Sequence, residues 1–87
     1  MPQYINYSGN PQEDFDRLRN ALYTLENFGI LHEERNISIE TETEEFAREI
    51  LGITEEDECF YELFEMCDET QKQKFLEFYR DKIMEEI

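Results

Sequence analysis

The sequence predicts a mainly α protein, a compact four-helix domain with at most a small two-stranded β element; an α+β arrangement is the alternative. Three observations carry that expectation. Valine is absent, so β-branched supply rests on eight Ile and a few Thr, and this composition leans toward helix. Gly and Pro together number only five. Helix start and stop signals recur along the chain, each followed by apolar residues at a three-to-four spacing.

Taken in order, Tyr4 to Tyr7 (YINY) reads as a short strand. Asn10-Pro11-Gln12-Glu13 then opens a helix. Asn10 suits the N-cap, Pro11 the first helical position and Glu13 the third position of a capping box. Phe15, Leu18, Ala21, Leu22, Leu25 and Phe28 follow at helical spacing, and Gly29 supplies a left-handed stop, so the helix is expected over 11–28. Ile37 and Ile39 alternate with Ser38 and Glu40, as in a half-buried strand, and residues 30–43 are left open as strand, hairpin or loop. Thr41 or Thr43 is expected to cap a short helix carrying Phe46, Ala47, Ile50 and Leu51, ended by Gly52. Thr54, with Asp57 three later, opens a helix bearing Cys59, Phe60, Leu63, Phe64 and Cys67. Asp68, with Gln71 three later, opens the last, with Phe75, Leu76, Phe78, Tyr79, Ile83 and Ile87 on its apolar face. Residues 1–87 show no repeat and no linker, which predicts one domain.

The chain carries 23 Asp and Glu against 8 Lys and Arg, a formal charge of −15. Leu, Ile and Phe make up 22 of the 87 residues, above the roughly 20 % below which disorder is the better reading. Twelve aromatic residues supply large burial per side chain. A folded domain with a small aromatic core, opposed by its own charge, is the expectation. So acidic a chain is a poor direct ligand for nucleic acid, whose phosphates need Lys and Arg. It is a poor ligand for anionic membranes for the same reason. No run approaches the roughly 20 apolar residues of a membrane span. The N-terminal stretch has neither the basic nor the apolar region of a signal peptide.

Cys59 and Cys67 lie eight residues apart. On one helix that separation is about 12 Å at 1.5 Å per residue, beyond the roughly 7 Å limit for a disulfide. They read as buried, reduced thiols, and a cytoplasmic location is expected. No Cys/His ligand spacing, EF-hand loop or Glu-x-x-His pair occurs, so neither a metal nor another cofactor is expected. His32 is the sole histidine. A lone histidine is a poor basis for nucleophilic catalysis, and so small a core offers little means of raising one carboxyl pKa selectively. No enzymatic activity is expected. Phe46 to Phe64 has the outline of a helix-turn-helix, but its second helix would carry acids where DNA presents phosphates.

The distribution of charge is the informative feature. From Glu33 to Glu69 there are 15 acids and only Arg35 and Arg48 as bases, while the remaining 50 residues hold 8 acids and 6 bases. Nearly all the net charge therefore belongs to the middle of the chain. Glu55, Glu56, Asp57 and Glu58 form its densest run, continued at helical spacing by Glu62 and Glu65. Carboxylates three and four apart on a helix have Cβ atoms about 5–6 Å apart, a scale comparable with phosphates along a strand at about 3.4 Å axial rise. Acids in a first helical turn also favour the helix dipole, and charged residues fill solvated faces. Neither explains why the segment has no Lys and only two Arg against 15 acids. Glu44, Glu45, Glu55, Glu56, Asp57, Glu58, Tyr61, Glu62 and Glu65 are the expected partner-binding residues, Tyr61 because it stands outside the narrow apolar stripe of its helix. The expected function is inhibition: charge mimicry that fills the basic nucleic-acid site of a nuclease or effector complex, as in a phage or mobile-element anti-defence protein of anti-CRISPR or anti-restriction type. The alternative is a helical interaction module or regulatory subunit, antitoxin-like or immunity-like, that binds through aromatic surface.

Overall fold

A computed structural model describes residues 10–54 and 56–86. Four helices follow one another: α1 Pro11–Asn27, α2 Glu33–Leu51, α3 Phe60–Met66 and α4 Glu69–Met84. No strand occurs among the described residues, and the mainly α expectation holds. The strand expected at Tyr4 to Tyr7 lies outside them, as do Glu55 and Ile87.

The first and last helices start as their sequences require. The Asn10 side chain accepts from the backbone N–H groups of Gln12 at 3.0 Å and Glu13 at 3.3 Å. Pro11 occupies the first turn, where no backbone donor is needed. Asp68 and Gln71 form a reciprocal capping box: Asp68 Oδ1 accepts from the Gln71 N–H, and Gln71 Oε1 accepts from the Asp68 N–H. Gly29 and Gly52 take positive φ of 74° and 72° just past α1 and α2, the left-handed stop that a Cβ disfavours.

The middle of the chain departs from the expectation twice. Residues 33–51 form one helix of 19 residues, so Ile37 and Ile39 lie on a helix, and Thr41 and Thr43 lie inside it instead of capping it. The Ile-Ser-Ile-Glu alternation is only four residues long. A longer helical series, Asn36, Ile39, Thr43 and Ala47, overrides it by turning into the core. Two of those four positions are polar and become core positions through local bonds. Thr43 Oγ1 donates to the Ile39 carbonyl at 2.7 Å, and Asn36 Nδ2 donates to Glu26 Oε1 at 3.1 Å.

The second departure is at Thr54. Helix α3 begins only at Phe60, with Cys59 at its N-cap, and the described residues between Gly52 and Phe60 are not helical. Adjacent carboxylates repel at helical spacing, and residues 54–58 offer no apolar side chain whose burial would repay helix formation. The long connection also removes the tight turn that a helix-turn-helix needs. Both cysteines are free, and Cys59 is exposed, contrary to the expectation that both are buried.

Helix α4 packs against α1 and α2, and α3 lies against α2. The centre is aromatic. Phe15 stacks on Phe64 with centroids 4.3 Å apart and planes within 6°, and meets Phe60, Tyr61, Phe75 and Tyr79 at 5.3–6.3 Å. Seven residues of α3 are too few to be stable alone, so this ring cluster is what holds α3 in place. A separate stack joins Phe46 to Phe78, which is only partly buried, at 4.4 Å. Phe28, the expected last apolar residue of α1, is 77 % exposed at the C-cap.

Candidate partner-binding surface

The expected site residues separate into two groups. On α3, Phe60, Leu63 and Phe64 turn inward, which leaves Tyr61, Glu62 and Glu65 on the outer face. Glu56 and Asp57 are exposed in the connection that precedes them, and Glu45 is exposed on the outer stripe of α2, one turn before the exposed Glu49. None of Glu45, Glu49, Glu56, Asp57, Glu62 and Glu65 has an ion-pair partner among the described residues.

Glu44 and Glu58 belong to the other group, and both are partly buried. Arg48 joins them. Its guanidinium lies 3.4 Å from Glu44 Oε2 and donates to the Glu58 backbone carbonyl at 3.1 Å. Arg48 thereby pins the acidic connection to α2. Burial pushes the Glu44 carboxyl above its ordinary range, against the opposing pull of Arg48, and Glu40 one turn earlier adds to the rise. Glu58 Oε2 and Arg48 Nε are buried without a hydrogen-bond partner among the described residues. These two acids serve the fold's own polar seam more than an outward face. Glu55 lies outside the described residues.

Tyr61 has a setting that its sequence position does not reveal. Its ring is 48 % exposed, meets Phe15 edge-on at 5.5 Å, and carries the Arg19 guanidinium 4.5 Å from its centroid. Arg19 also bonds Glu40 Oε1 and the Tyr23 hydroxyl, each at 3.0 Å. Tyr23 is likewise 48 % exposed. Burial opposes the charge on Arg19, but Tyr79, Glu40, Tyr61 and Tyr23 around it raise its pKa above the ordinary value. Tyr79 enters from α4; burial drives its phenol well above the usual tyrosine range, and its hydroxyl has no hydrogen-bond partner among the described residues. Residues of all four helices thus converge on Arg19. Tyr23 and Arg19 escaped the sequence reading. The available signal was that Tyr23 stands outside the stripe Phe15, Leu18 and Leu22, as Tyr61 does outside its own.

No known protein family matches this chain, and neither does any curated protein or solved structure. Among the described residues, no three His, Cys, Asp or Glu side chains are placed to hold a metal ion. None of the helices is long and apolar enough to cross a membrane.

Proposed function

We propose that this protein is a small acidic inhibitor that fills the basic nucleic-acid site of another protein by charge mimicry, the setting being a phage or mobile-element counter to a nuclease or effector complex. The observation that supports this reading is the pairing pattern. Nearby bases are taken up inside the fold, Arg48 by Glu44 and the Glu58 carbonyl and Arg19 by Glu40. The outward carboxylates Glu45, Glu49, Glu56, Asp57, Glu62 and Glu65 are left without cations among the described residues. Such a face has a long-range field that steers it to a basic groove and speeds association. The carboxylates would take the place of the phosphates that the partner's cations normally bind.

The test is neutralisation of Glu56, Asp57, Glu62 and Glu65 to Gln or Asn in one variant. Glu58 is left in place because it is partly buried beside Arg48. Glu77, exposed on α4 and outside the acidic segment, is the control. Glu85 and Glu86 do not serve, since both pair with Arg35. Mimicry predicts that the fourfold variant binds its partner orders of magnitude more weakly, mainly through slower association, and loses its salt sensitivity. Nucleic acid and this protein should also exclude one another from the partner. Normal binding by a folded fourfold variant, or a ternary complex with nucleic acid at the same site, would sink the idea. An interaction module that binds through its aromatic surface is the second reading, favoured by the half-exposed Tyr23 and Tyr61. Its binding would survive neutralisation and high salt.

A further inference from the structure

We propose that Tyr61 and Tyr23, set on either side of Arg19 at the α1–α3 edge, anchor the partner by taking one of its arginine or lysine side chains against the tyrosine rings. This rests on the inhibitor reading and assigns the centre of its contact surface. Tyrosine is among the residue types enriched at interface hot spots. These two are also held in place. Tyr61 is braced by Phe15, and Tyr23 is tied through its hydroxyl to Arg19, which is in turn fixed by Glu40. Little side-chain freedom remains to be lost on binding.

The occupant's chemistry follows from two observations. The rings suit a cation: Arg19 lies 4.5, 5.5 and 5.6 Å from the centroids of Tyr61, Phe60 and Tyr23, within the range of a cation–π contact, and since its charge is balanced by Glu40 at 3.0 Å, a partner's cation would use the exposed parts of the two tyrosines. The surroundings are acidic. Glu65 stands one helical turn after Tyr61 on the exposed side of α3, and Glu62 is next to it. Asp16 is exposed on α1, three residues from Arg19 and seven from Tyr23, on the side of that helix turned away from Leu18 and Leu22. An incoming cation therefore meets aromatic rings at the centre and carboxylates at the rim.

The probe is a hexa-arginine peptide, with a hexa-glutamate peptide as control, titrated into the full chain carrying 13C-labelled tyrosine at about 0.15 M ionic strength. The expected result is saturable movement of the Tyr61 and Tyr23 ring resonances with the arginine peptide alone. Tyr61→Ala should weaken binding about tenfold, between the scales of an exposed and a desolvated cation–π contact, and Tyr61→Phe should retain it. Should Tyr61→Ala fail to fold, Tyr23→Ala carries the same comparison. Binding that leaves both ring signals still, or that is unchanged in the folded Ala variant, overturns the anchor. The charge reading is judged separately by the Glu56, Asp57, Glu62 and Glu65 variant. If that variant loses binding while Tyr61→Ala does not, mimicry stands without the anchor. If it binds the peptide as well as the unmodified chain does, mimicry itself fails.

Discussion

Replacing Phe15 by Ala tests the physical basis of both the fold and its outward surface. The ring is fully buried. It is enclosed by Phe60, Phe64, Phe75 and Tyr79, with Tyr61 resting edge-on against it. A Phe-to-Ala change in a core costs about 3–5 kcal/mol, from lost transfer energy and the cavity left behind. Rigid rings on so many sides limit collapse into that space, so the upper half of the range is expected. A domain of this size has a total stability of only about 4–13 kcal/mol, so the variant should be close to unfolding. Urea denaturation followed by far-UV circular dichroism is the assay. With m near 1 kcal/mol/M, the midpoint should fall by about 4 M or more, or the transition should vanish. Phe28→Ala, on the same helix sequence but 77 % exposed, is the internal control and should stay within about 0.5 kcal/mol. A Phe15→Ala midpoint no lower than that of Phe28→Ala, at unchanged m, would refute the claim that this ring holds α3. It would also remove the platform assigned to Tyr61.

Two further outcomes follow from the titratable groups. Burial raises the folded pKa of Glu44 above the ordinary 4.5, so the native state holds this proton to higher pH than the unfolded chain does. The ionised carboxylate therefore lowers stability above its folded pKa, and that penalty disappears as pH falls through the folded pKa toward 4.5. Glu44→Gln should raise the melting temperature near neutral pH and converge with the unmodified protein below about 4.5; a neutral-pH loss that persists in acid would show that pairing with Arg48 outweighs burial. Cys59 is exposed and Cys67 buried, and burial raises the Cys67 thiol above its usual pKa. A thiol reagent should therefore label one cysteine rapidly and the other only on unfolding. Equal fast labelling of both would contradict the burial of Cys67 at the end of α3.

Much of this architecture was legible in local signals. Asn10-Pro11, Gly29, Gly52 and the Asp68–Gln71 pair mark helix ends through backbone hydrogen bonds and positive φ, interactions that span only a few residues. The inward faces of α1 and α4 were legible for a related reason: a run of four or more apolar residues at helical spacing leaves little choice about which side is buried. Helix α2 was hidden because two of its core positions, Asn36 and Thr43, are polar. They are buried at no great cost only once Glu26 and the Ile39 carbonyl are placed to bond them. The start of α3 was hidden because Thr54 and Asp57 imitate a cap, while the energy that forms the helix comes from rings on α1 and α4.

The same division runs through the functional surface. Amino-acid composition and order alone determined that the negative charge is concentrated between Glu33 and Glu69, because formal charge needs no fold to be counted. Which carboxylates remain available to a partner was decided by tertiary structure. Arg48 draws in Glu44 and the Glu58 backbone, whereas Glu62 and Glu65 are turned outward by the burial of Phe60, Leu63 and Phe64. The pairing of Tyr23 with Tyr61 across Arg19 is likewise invisible in a linear chain, since 38 residues separate the two rings. Only the docking of α3 over Phe15 brings them to one edge: burial of apolar rings acts through space, where sequence separation has no bearing.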